Sequence, residues 1–252
     1  MQKALATFGW DDAAPLLDLA LPTFRDYAAR HGYHLIVASR RCDRPASWCK
    51  IPLLQELLAS YDFVLWIDAD AIILDASIDL ATVIPDDAYQ AFVVTNCGEG
   101  VGESPNLGVW ALRAVPRAKE LLDAIWSQED FIDQGWEQMA LMRLLGWTLE
   151  RPFFKARASE WDAGTHIIGE EWNAQPMYSI IGYQPARIRH FAGATYYRKR
   201  FEMQTDLARL ERRWPRYWLG SLERRLRRHP MIYTRARWLS AKFGVRGLLT
   251  RS

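Results

Sequence analysis

The chain has 252 residues, half of them hydrophobic and a quarter charged, and its formal net charge is +2. This composition is typical of globular domains and excludes disordered, collagen-like and coiled-coil chains. The net charge conceals an asymmetry, because residues 1–197 hold 16 basic and 26 acidic side chains whereas residues 198–252 hold 16 basic and 4 acidic ones. A charge split of this kind predicts an anionic partner for the basic part.

Short apolar runs alternate with helical patterns along the first part of the chain. The runs that predict strands are residues 3–8, 34–39, 63–67, 92–96, 108–112 and 186–191. Helical spacing covers residues 13–31, 48–60, 116–127 and 136–145. Pro22 is expected to kink or split the first helix, and the glycine-rich residues 97–106 predict a mobile loop. The alternation favours an open, mostly parallel twisted α/β sheet flanked by helices.

The basic part has a different pattern. From residue 206 to residue 228, Leu and Trp recur at spacings of three and four with arginines between them, and residues 232–243 add a second such piece. This pattern predicts a helical tail that lies on an anionic membrane surface through residues 206–243. A soluble helix is the plain alternative, and the apolar stripe beside an acidic body argues against nucleic acid as the partner. We therefore divide the chain into a domain of residues 1–197 and a tail of residues 198–252.

The N-terminal sequence and the cysteines indicate the cellular compartment in which the protein is expected. Residues 1–8 lack the apolar core and the cleavage site of a signal peptide, and no apolar run approaches the roughly 18 residues of a membrane-spanning helix. Cys42, Cys49 and Cys97 are odd in number and lack metal-ligand spacing, which favours free thiols in a reducing compartment. Together with the tail, these features predict a cytoplasmic protein that is peripheral at the inner face of the membrane.

Two aspartates, Asp68 and Asp70, follow the wholly apolar third strand in the run W-I-D-A-D-A. Ligand sites of open α/β sheets lie beyond the carboxyl ends of the strands. Two carboxylates that flank one residue there can share Mg²⁺ or Mn²⁺, which completes its coordination with substrate phosphates. A turn or capping pair of aspartates is the non-functional alternative.

Two classes of metal-dependent enzyme have such a D-x-D motif. In haloacid-dehalogenase-type phosphatases the motif follows the first strand and continues with Thr or Val, whereas here two strands precede it and Ile72 follows it. The G-D-x-x-x-D element of those phosphatases is also lacking. A nucleotide-sugar transferase of the GT-A fold, in which D-x-D follows a βαβ half, suits the position of Asp68 better. A glycan- or membrane-binding module with a disabled site is the non-enzymatic alternative.

Five sequence blocks support the transferase interpretation. They are W-C-K at Trp48, Y-D-F-V-L-W-I-D-A-D-A at Tyr61, N-L-G-V-W-A-L-R at Asn106, W-E-Q-M-A-L at Trp136 and H-F-A-G at His190. With these blocks in order, residues 4–195 resemble glycosyltransferase family 34, which contains galactomannan galactosyltransferases and xyloglucan xylosyltransferases. The resemblance implies a GT-A fold and retaining transfer from a nucleotide-sugar, with a UDP-sugar favoured, to a glycan or lipid-linked acceptor.

The resemblance also implies the residues of the site. Asp68, Asp70 and His190 would bind the metal, and the imidazole favours Mn²⁺ over Mg²⁺. The residues implied to bind the donor are Thr7, Phe8, Lys50, Asp68, Ala69, Asp70, Asn106, Gly108 and Gly193. Lys199, with Arg198 and Arg200, is a candidate for the cation that neutralises the leaving diphosphate at the donor site, and the start of the basic tail is the plain alternative for these three residues.

Two further groups of residues would face the reacting sugars. Glu137 and Gln138 would face the anomeric carbon, although the family has Asp-Gln there and Asp133-Gln134 is a rival alignment. Because Gln138 is not a carboxylate, we expect same-face substitution rather than double displacement, with Gln138 or Glu137 stabilising the oxocarbenium-like sugar. Trp161 and Trp172 are candidates for stacking on the acceptor sugar, and Trp136 lies in the same half of the chain.

Overall fold

The computed structural model describes residues 1–175 and 186–211. These residues fall into two compact units, one of Met1–Met203 and one that begins at Gln204 and is described as far as Glu211. Most of the predicted membrane-facing segment, residues 212–243, lies outside the described residues, so its helical pattern stays a prediction. None of the helices in the described ranges combines the length and the apolar character needed to cross a membrane.

A six-stranded sheet forms the centre of the first unit. In chain order the strands of this unit are β1 (Lys3–Thr7), β2 (Tyr33–Val37), β3 (Phe63–Ile67), β4 (Ala71–Ile73), β5 (Gln90–Asn96), β6 (Glu103–Arg113), β7 (Thr165–Ile168) and β8 (Ile188–His190). The large sheet has the order β2-β1-β3-β6-β5-β7, in which β6 is antiparallel to both of its neighbours and the other pairs are parallel. β4 and β8 form a separate antiparallel pair. The predicted mostly parallel α/β sheet is confirmed.

Helices flank the sheet. They are α1 (Ala14–His31), α2 (Lys50–Leu57), α3 (Pro116–Trp126), α4 (Trp136–Leu144) and α5 (Tyr196–Leu210). α1 ends at Gly32, which adopts the left-handed conformation typical of a helix C-terminus. Pro22 lies inside the unbroken α1, so the predicted split is wrong. Buried Leu17 and Phe24 on either side of Pro22 show why the helix persists, because tertiary packing compensates for the missing backbone hydrogen bond.

The core lies on both sides of β3. All five residues of this strand are buried, as expected for a strand covered on both faces. Trp66 of β3 pairs with Trp110 of β6, and Trp48 packs beside them from the segment that precedes α2. These three indoles are almost completely inaccessible to solvent. β3 is thereby fixed in position up to the residue where the D-x-D motif begins.

Three features differ from the sequence-based expectations. β4 and β7 were not predicted, and β6 begins at Glu103, inside the segment expected to be a mobile loop. The prediction of three free thiols is wrong, because Cys42 and Cys49 form a disulfide with Cα atoms 5.3 Å apart and Cys97 alone is free. A spacing of seven residues does not by itself bring two cysteines together, and here the loop before α2 folds back to do so.

Candidate active site at the carboxyl ends of the strands

Most of the predicted site residues line one cavity of about 620 Å³. Its walls come from the residues directly after β1 and β3, from β6, from the N-terminal ends of α1, α2 and α4, and from the segment between β8 and the first turn of α5. The predicted residues in the lining are Phe8, Lys50, Asp68, Ala69, Asp70, Asn106, Gly108, Glu137, Gln138, His190, Gly193 and Lys199. Segments far apart in the sequence therefore meet at the edge of the sheet where ligands bind in open α/β folds.

The D-x-D motif sits in a tight turn between β3 and β4. The N–H of Asp68 donates to the carbonyl of Gly108 at 2.8 Å, and the N–H of Ala71 donates back to the carbonyl of Asp68 at 3.2 Å. β4 then pairs with β8 in a register that sets Ala71 opposite His190. The N–H of Phe191 also donates to the carbonyl of Asp70 at 3.0 Å. This short sheet explains how a histidine 120 residues downstream comes to face the two carboxylates.

The side chains of Asp68, Asp70 and His190 offer ligand atoms that all lie within 4.8 Å of one another. His190 Nε2 is 3.3 Å from Asp70 Oδ1 and 3.6 Å from Asp68 Oδ2. Burial opposes ionisation of the Asp70 carboxyl, but the charges of His190 and Lys199 outweigh burial and lower the pKa of Asp70. Asp70 is therefore an anion that is available to a cation.

Lys50 is buried between two carboxylates. Its Nζ lies 3.1 Å from Asp68 Oδ1 and 3.0 Å from Glu137 Oε1, and it stands 5.2 Å from the centroid of the Trp66 ring. Burial opposes protonation of this amine, but the charges of Asp68 and Glu137 outweigh burial and raise the pKa of Lys50. Trp66 Nε1 donates to the same Asp68 oxygen at 2.6 Å. Two donors thus hold Asp68 Oδ1, while Oδ2 faces His190.

Lys199 supplies a second cation, from the first turn of α5. Its Nζ donates to Asp70 Oδ2 at 2.6 Å, and its side chain is about one-fifth exposed. Gly193, in the segment before α5, has a φ of 72° and forms part of the same wall. Lys199 is positioned where it faces both Asp70 and the open cavity.

Gly108 makes room for the histidine. A Cβ at this position would lie 2.1 Å from His190 Cε1 and 2.3 Å from His190 Nδ1. The N–H of Gly108 donates to Asn106 Oδ1 at 2.9 Å, and this oxygen also accepts from Asn173 Nδ2 at 2.8 Å. Asn173 in turn lies against His190, with Asn173 Oδ1 3.0 Å from Nδ1 of the ring. Sequence reasoning missed Asn173, because its partners Asn106 and His190 lie far from it along the chain.

The remaining predicted residues lie elsewhere. Asp133 is exposed and outside the lining of the cavity, whereas Glu137 and Gln138 of the other alignment lie inside it. Thr7 is fully buried at the end of β1, and its hydroxyl has no hydrogen-bond partner among the described residues. Thr7 does not line the cavity, so no direct contact supports its predicted role in donor binding.

The two predicted acceptor-side tryptophans, Trp161 and Trp172, are 8% and 3% exposed and do not line the cavity. The guanidinium groups of Arg117 and Arg187 lie over these rings at 3.8 and 5.4 Å from the centroids. Both rings thus pack within the protein, and the structure gives no support to acceptor contacts through them. Trp136, by contrast, is 55% exposed and lines the cavity at the start of α4.

A family model matches the part of the chain that contains the D-x-D motif. Residues 11–98 match the model described as the galactosyl transferase GMA12/MNN10 family. This match confirms the predicted resemblance to glycosyltransferase family 34. The matched range contains Lys50, Asp68 and Asp70 but ends before β6 and α4.

A curated relative agrees with the family match over a short stretch. An uncharacterized alpha-1,2-galactosyltransferase of Schizosaccharomyces pombe is 31% identical over 75 residues, which are 26% of this chain and 20% of the relative. The match thus spans about one fifth of the length of that relative.

Solved structures share the fold over most of the chain. A glycosyltransferase involved in the glycosylation of the major capsid of PBCV-1 has a TM-score of 0.64 at 12% identity, over 81% of this chain and 100% of its own. The galactosyltransferase LgtC, solved with donor and acceptor sugar analogs, has a TM-score of 0.50 at 13% identity, over 80% of this chain and 95% of its own. At these identities the likeness shows the fold, and it confirms the predicted GT-A architecture.

Proposed function

We propose that this protein is a metal-dependent glycosyltransferase. It moves a sugar from a nucleotide-sugar, with a UDP-sugar favoured, to a glycan or lipid-linked acceptor with retention of the anomeric configuration. The observation that carries the proposal is the convergence of two carboxylates, an imidazole and two lysines in one cavity of a GT-A fold. The family match favours this reaction over phosphate-ester hydrolysis by a haloacid-dehalogenase-type enzyme.

The donor atoms of the site fit a divalent cation. Asp68 and Asp70 provide hard oxygen ligands and His190 Nε2 provides a nitrogen, a combination that suits Mn²⁺ better than Mg²⁺. When bound, such a cation neutralises the charge that develops on the leaving diphosphate. Lys199 adds a positive charge beside Asp70, on the side open to the cavity.

We propose that Glu137 and Gln138 contact the donor sugar, because both line the cavity. Glu137 is 4% exposed, and its Oε1 is paired with Lys50. Its Oε2 is buried without a hydrogen-bond partner in the described part of the chain, and a buried polar atom of this kind ordinarily has a partner. A carboxylate already paired with an ammonium is a poor nucleophile. We therefore favour same-face substitution, in which Glu137 and Gln138 stabilise positive charge on the sugar ring.

Trp136 is the acceptor-side residue in this proposal. It lines the cavity next to Glu137, and its ring is 55% exposed. Its φ of 58° lies in the left-handed region, which bulky residues rarely adopt. Such strain concentrates at functional sites. An exposed indole at the mouth of a polar cavity suits the apolar face of a sugar ring.

A screen of nucleotide-sugars tests the reaction. We expect Mn²⁺ to stimulate the release of nucleoside diphosphate from one donor. This activity should be lost when EDTA is added and in the D70N variant. The D86N variant, which alters an exposed aspartate, should keep the wild-type rate. Failure of UDP to bind in calorimetry, with or without Mn²⁺, together with failure of every donor, would overturn the proposal. An inverted product anomer in NMR would reject retention alone.

The basic tail completes the proposal. We propose that residues 206–243 hold the enzyme at an anionic membrane surface, where it meets a lipid-linked acceptor. The full chain is expected to sediment with vesicles that contain phosphatidylglycerol and to remain soluble with phosphatidylcholine alone. A variant with Arg224, Arg225, Arg227 and Arg228 changed to Gln should lose this sedimentation. Equal sedimentation of the variant and the wild type would contradict the assignment.

A further inference from the structure

The ring of His190 has different partners at its two nitrogens. Nε2 faces the carboxylates of Asp68 and Asp70, whereas Nδ1 lies 3.0 Å from Asn173 Oδ1. Both His190 and Asn173 are almost completely buried, with 4% and 1% of their surface exposed. Water therefore has little part in setting the proton at Nδ1, and the amide of Asn173 is the partner of that nitrogen.

A chain of hydrogen bonds fixes the orientation of that amide. The backbone N–H of Gly108 can only donate, so the Asn106 atom that it contacts at 2.9 Å is the side-chain oxygen. The same oxygen and the Asn106 carbonyl lie 2.8 and 3.3 Å from the Asn173 side chain. Both of these Asn106 atoms are acceptors, so the Asn173 group that faces them must be a donor, which is the NH₂ group. The Asn173 oxygen then faces His190.

The proton position on the imidazole follows from this orientation. An amide oxygen only accepts, so Nδ1 of His190 must be the donor. In the neutral ring Nε2 is then unprotonated, with its lone pair directed at the space between the two carboxylates. The opposite tautomer would place a proton there and would compete with a cation. In proteins, a histidine that binds a metal through one ring nitrogen ordinarily donates the N–H of its other nitrogen to an oxygen outside the coordination sphere.

We propose that Asn173 is a positioning residue that holds His190 in its metal-binding tautomer, with its own orientation set by Asn106 and by the backbone of Gly108. This inference rests on the proposed metal site, and it adds a residue that lies outside the five sequence blocks. The absence of a side chain at Gly108 is part of the arrangement, because a Cβ there would collide with Nδ1 of His190.

Mn²⁺ titration, followed by the EPR signal of the free ion, tests the proposal on the full-length protein. N173A and the volume-matched N173L remove the acceptor for Nδ1 and are expected to weaken Mn²⁺ binding about 10- to 100-fold. N173D keeps an oxygen acceptor toward His190 but replaces the donor toward Asn106 with a charged oxygen. Because the acceptor toward Nδ1 is retained, N173D should bind Mn²⁺ within about threefold of the wild type.

Gln175 provides a matched control two residues away. It is 2% exposed and donates to Thr95 Oγ1 at 2.9 Å, without contact to His190. Q175A is expected to lower the melting temperature and to leave Mn²⁺ affinity unchanged. If N173L binds as tightly as the wild type, or if N173D binds as weakly as N173L, the positioning role is overturned. If the wild type itself binds no Mn²⁺, the proposed metal site fails instead.

Discussion

The ammonium group of Lys50 lies 3.0 Å from Glu137 Oε1 inside the protein, and it joins the start of α4 to the carboxylate of Asp68. Lys50 was predicted to bind the donor. It belongs to the cavity lining but is only 4% exposed, and its ammonium holds two acidic groups at a fixed separation. One buried charge thus couples the proposed metal site to the residues proposed to contact the donor sugar.

Removal of this ammonium should be costly. K50M leaves Glu137 buried without its partner, and we expect a loss of about 3–5 kcal/mol in the free energy of unfolding, measured with urea. K50M/E137L removes both buried charges and should be more stable than K50M alone. D130N removes an exposed ion pair with Arg143 and should cost less than about 1 kcal/mol. A double variant less stable than K50M would contradict the interpretation.

Gly108 leads to a second prediction. G108A places a methyl group 2.1 Å from the His190 ring, which is expected to cost about 1–3 kcal/mol and to weaken Mn²⁺ binding. The two shortest contacts of the added methyl group are both with the His190 ring, so G108A should cost much less stability when introduced into H190A. Urea unfolding of the four proteins in this cycle measures the difference. An equal cost of G108A in both backgrounds would show that the backbone, and not His190, requires glycine.

The exposed indole of Trp136 leads to a third prediction. W136A should raise the KM for the acceptor roughly 2- to 10-fold, the range expected for an aromatic contact of about 0.5–1.5 kcal/mol. W136F keeps an aromatic face and should stay close to the wild type. The measurement uses one UDP-sugar and the best acceptor from a panel of methyl glycosides. An unchanged KM in W136A would remove Trp136 from the acceptor site.

Much of the fold could be predicted from local patterns. β3 is apolar throughout because both of its faces are covered, and α3 starts at a proline that suits the first turn of a helix. β4 has only three residues, and its partner strand lies more than 100 residues away. β7 likewise pairs with β5 across a long separation in the chain. Short strands of this kind carry little local signal, because tertiary pairing defines them.

The site likewise contains some residues that local sequence patterns predict and others that only tertiary contacts define. Asp68 and Asp70 could be predicted from a buried strand that ends in D-x-D, whereas His190 was predicted only through resemblance to a family. The role of Asn173 depends on hydrogen bonds to Asn106 and His190, which spacing in the sequence does not reveal. The burial of Lys50 could not be predicted from the sequence either, since a lysine on a helix is ordinarily solvated.

Asp79 leads to a prediction about stability and pH. Its carboxylate accepts from Lys3 Nζ, from Tyr33 Oη at 2.6 Å and from the N–H of Ala81 at 3.0 Å. Burial opposes ionisation of this carboxyl, but these hydrogen bonds outweigh burial and lower the pKa of Asp79. The folded protein therefore binds this proton less readily than the unfolded chain, whose aspartates have a pKa of about 3.9.

The sign of the pH effect follows from this difference. Asp79 contributes stability above its unfolded pKa, and the contribution is lost as the pH falls toward the lower pKa of the folded state. D79N should cost about 2 kcal/mol at pH 7, and its difference from the wild type should shrink as the pH falls from about 5 to 2. Urea unfolding across this range measures the effect. D86N, which alters a fully exposed aspartate, serves as the control. A difference between D79N and the wild type that stays constant with pH would show that the contacts of Asp79 do not depend on its charge.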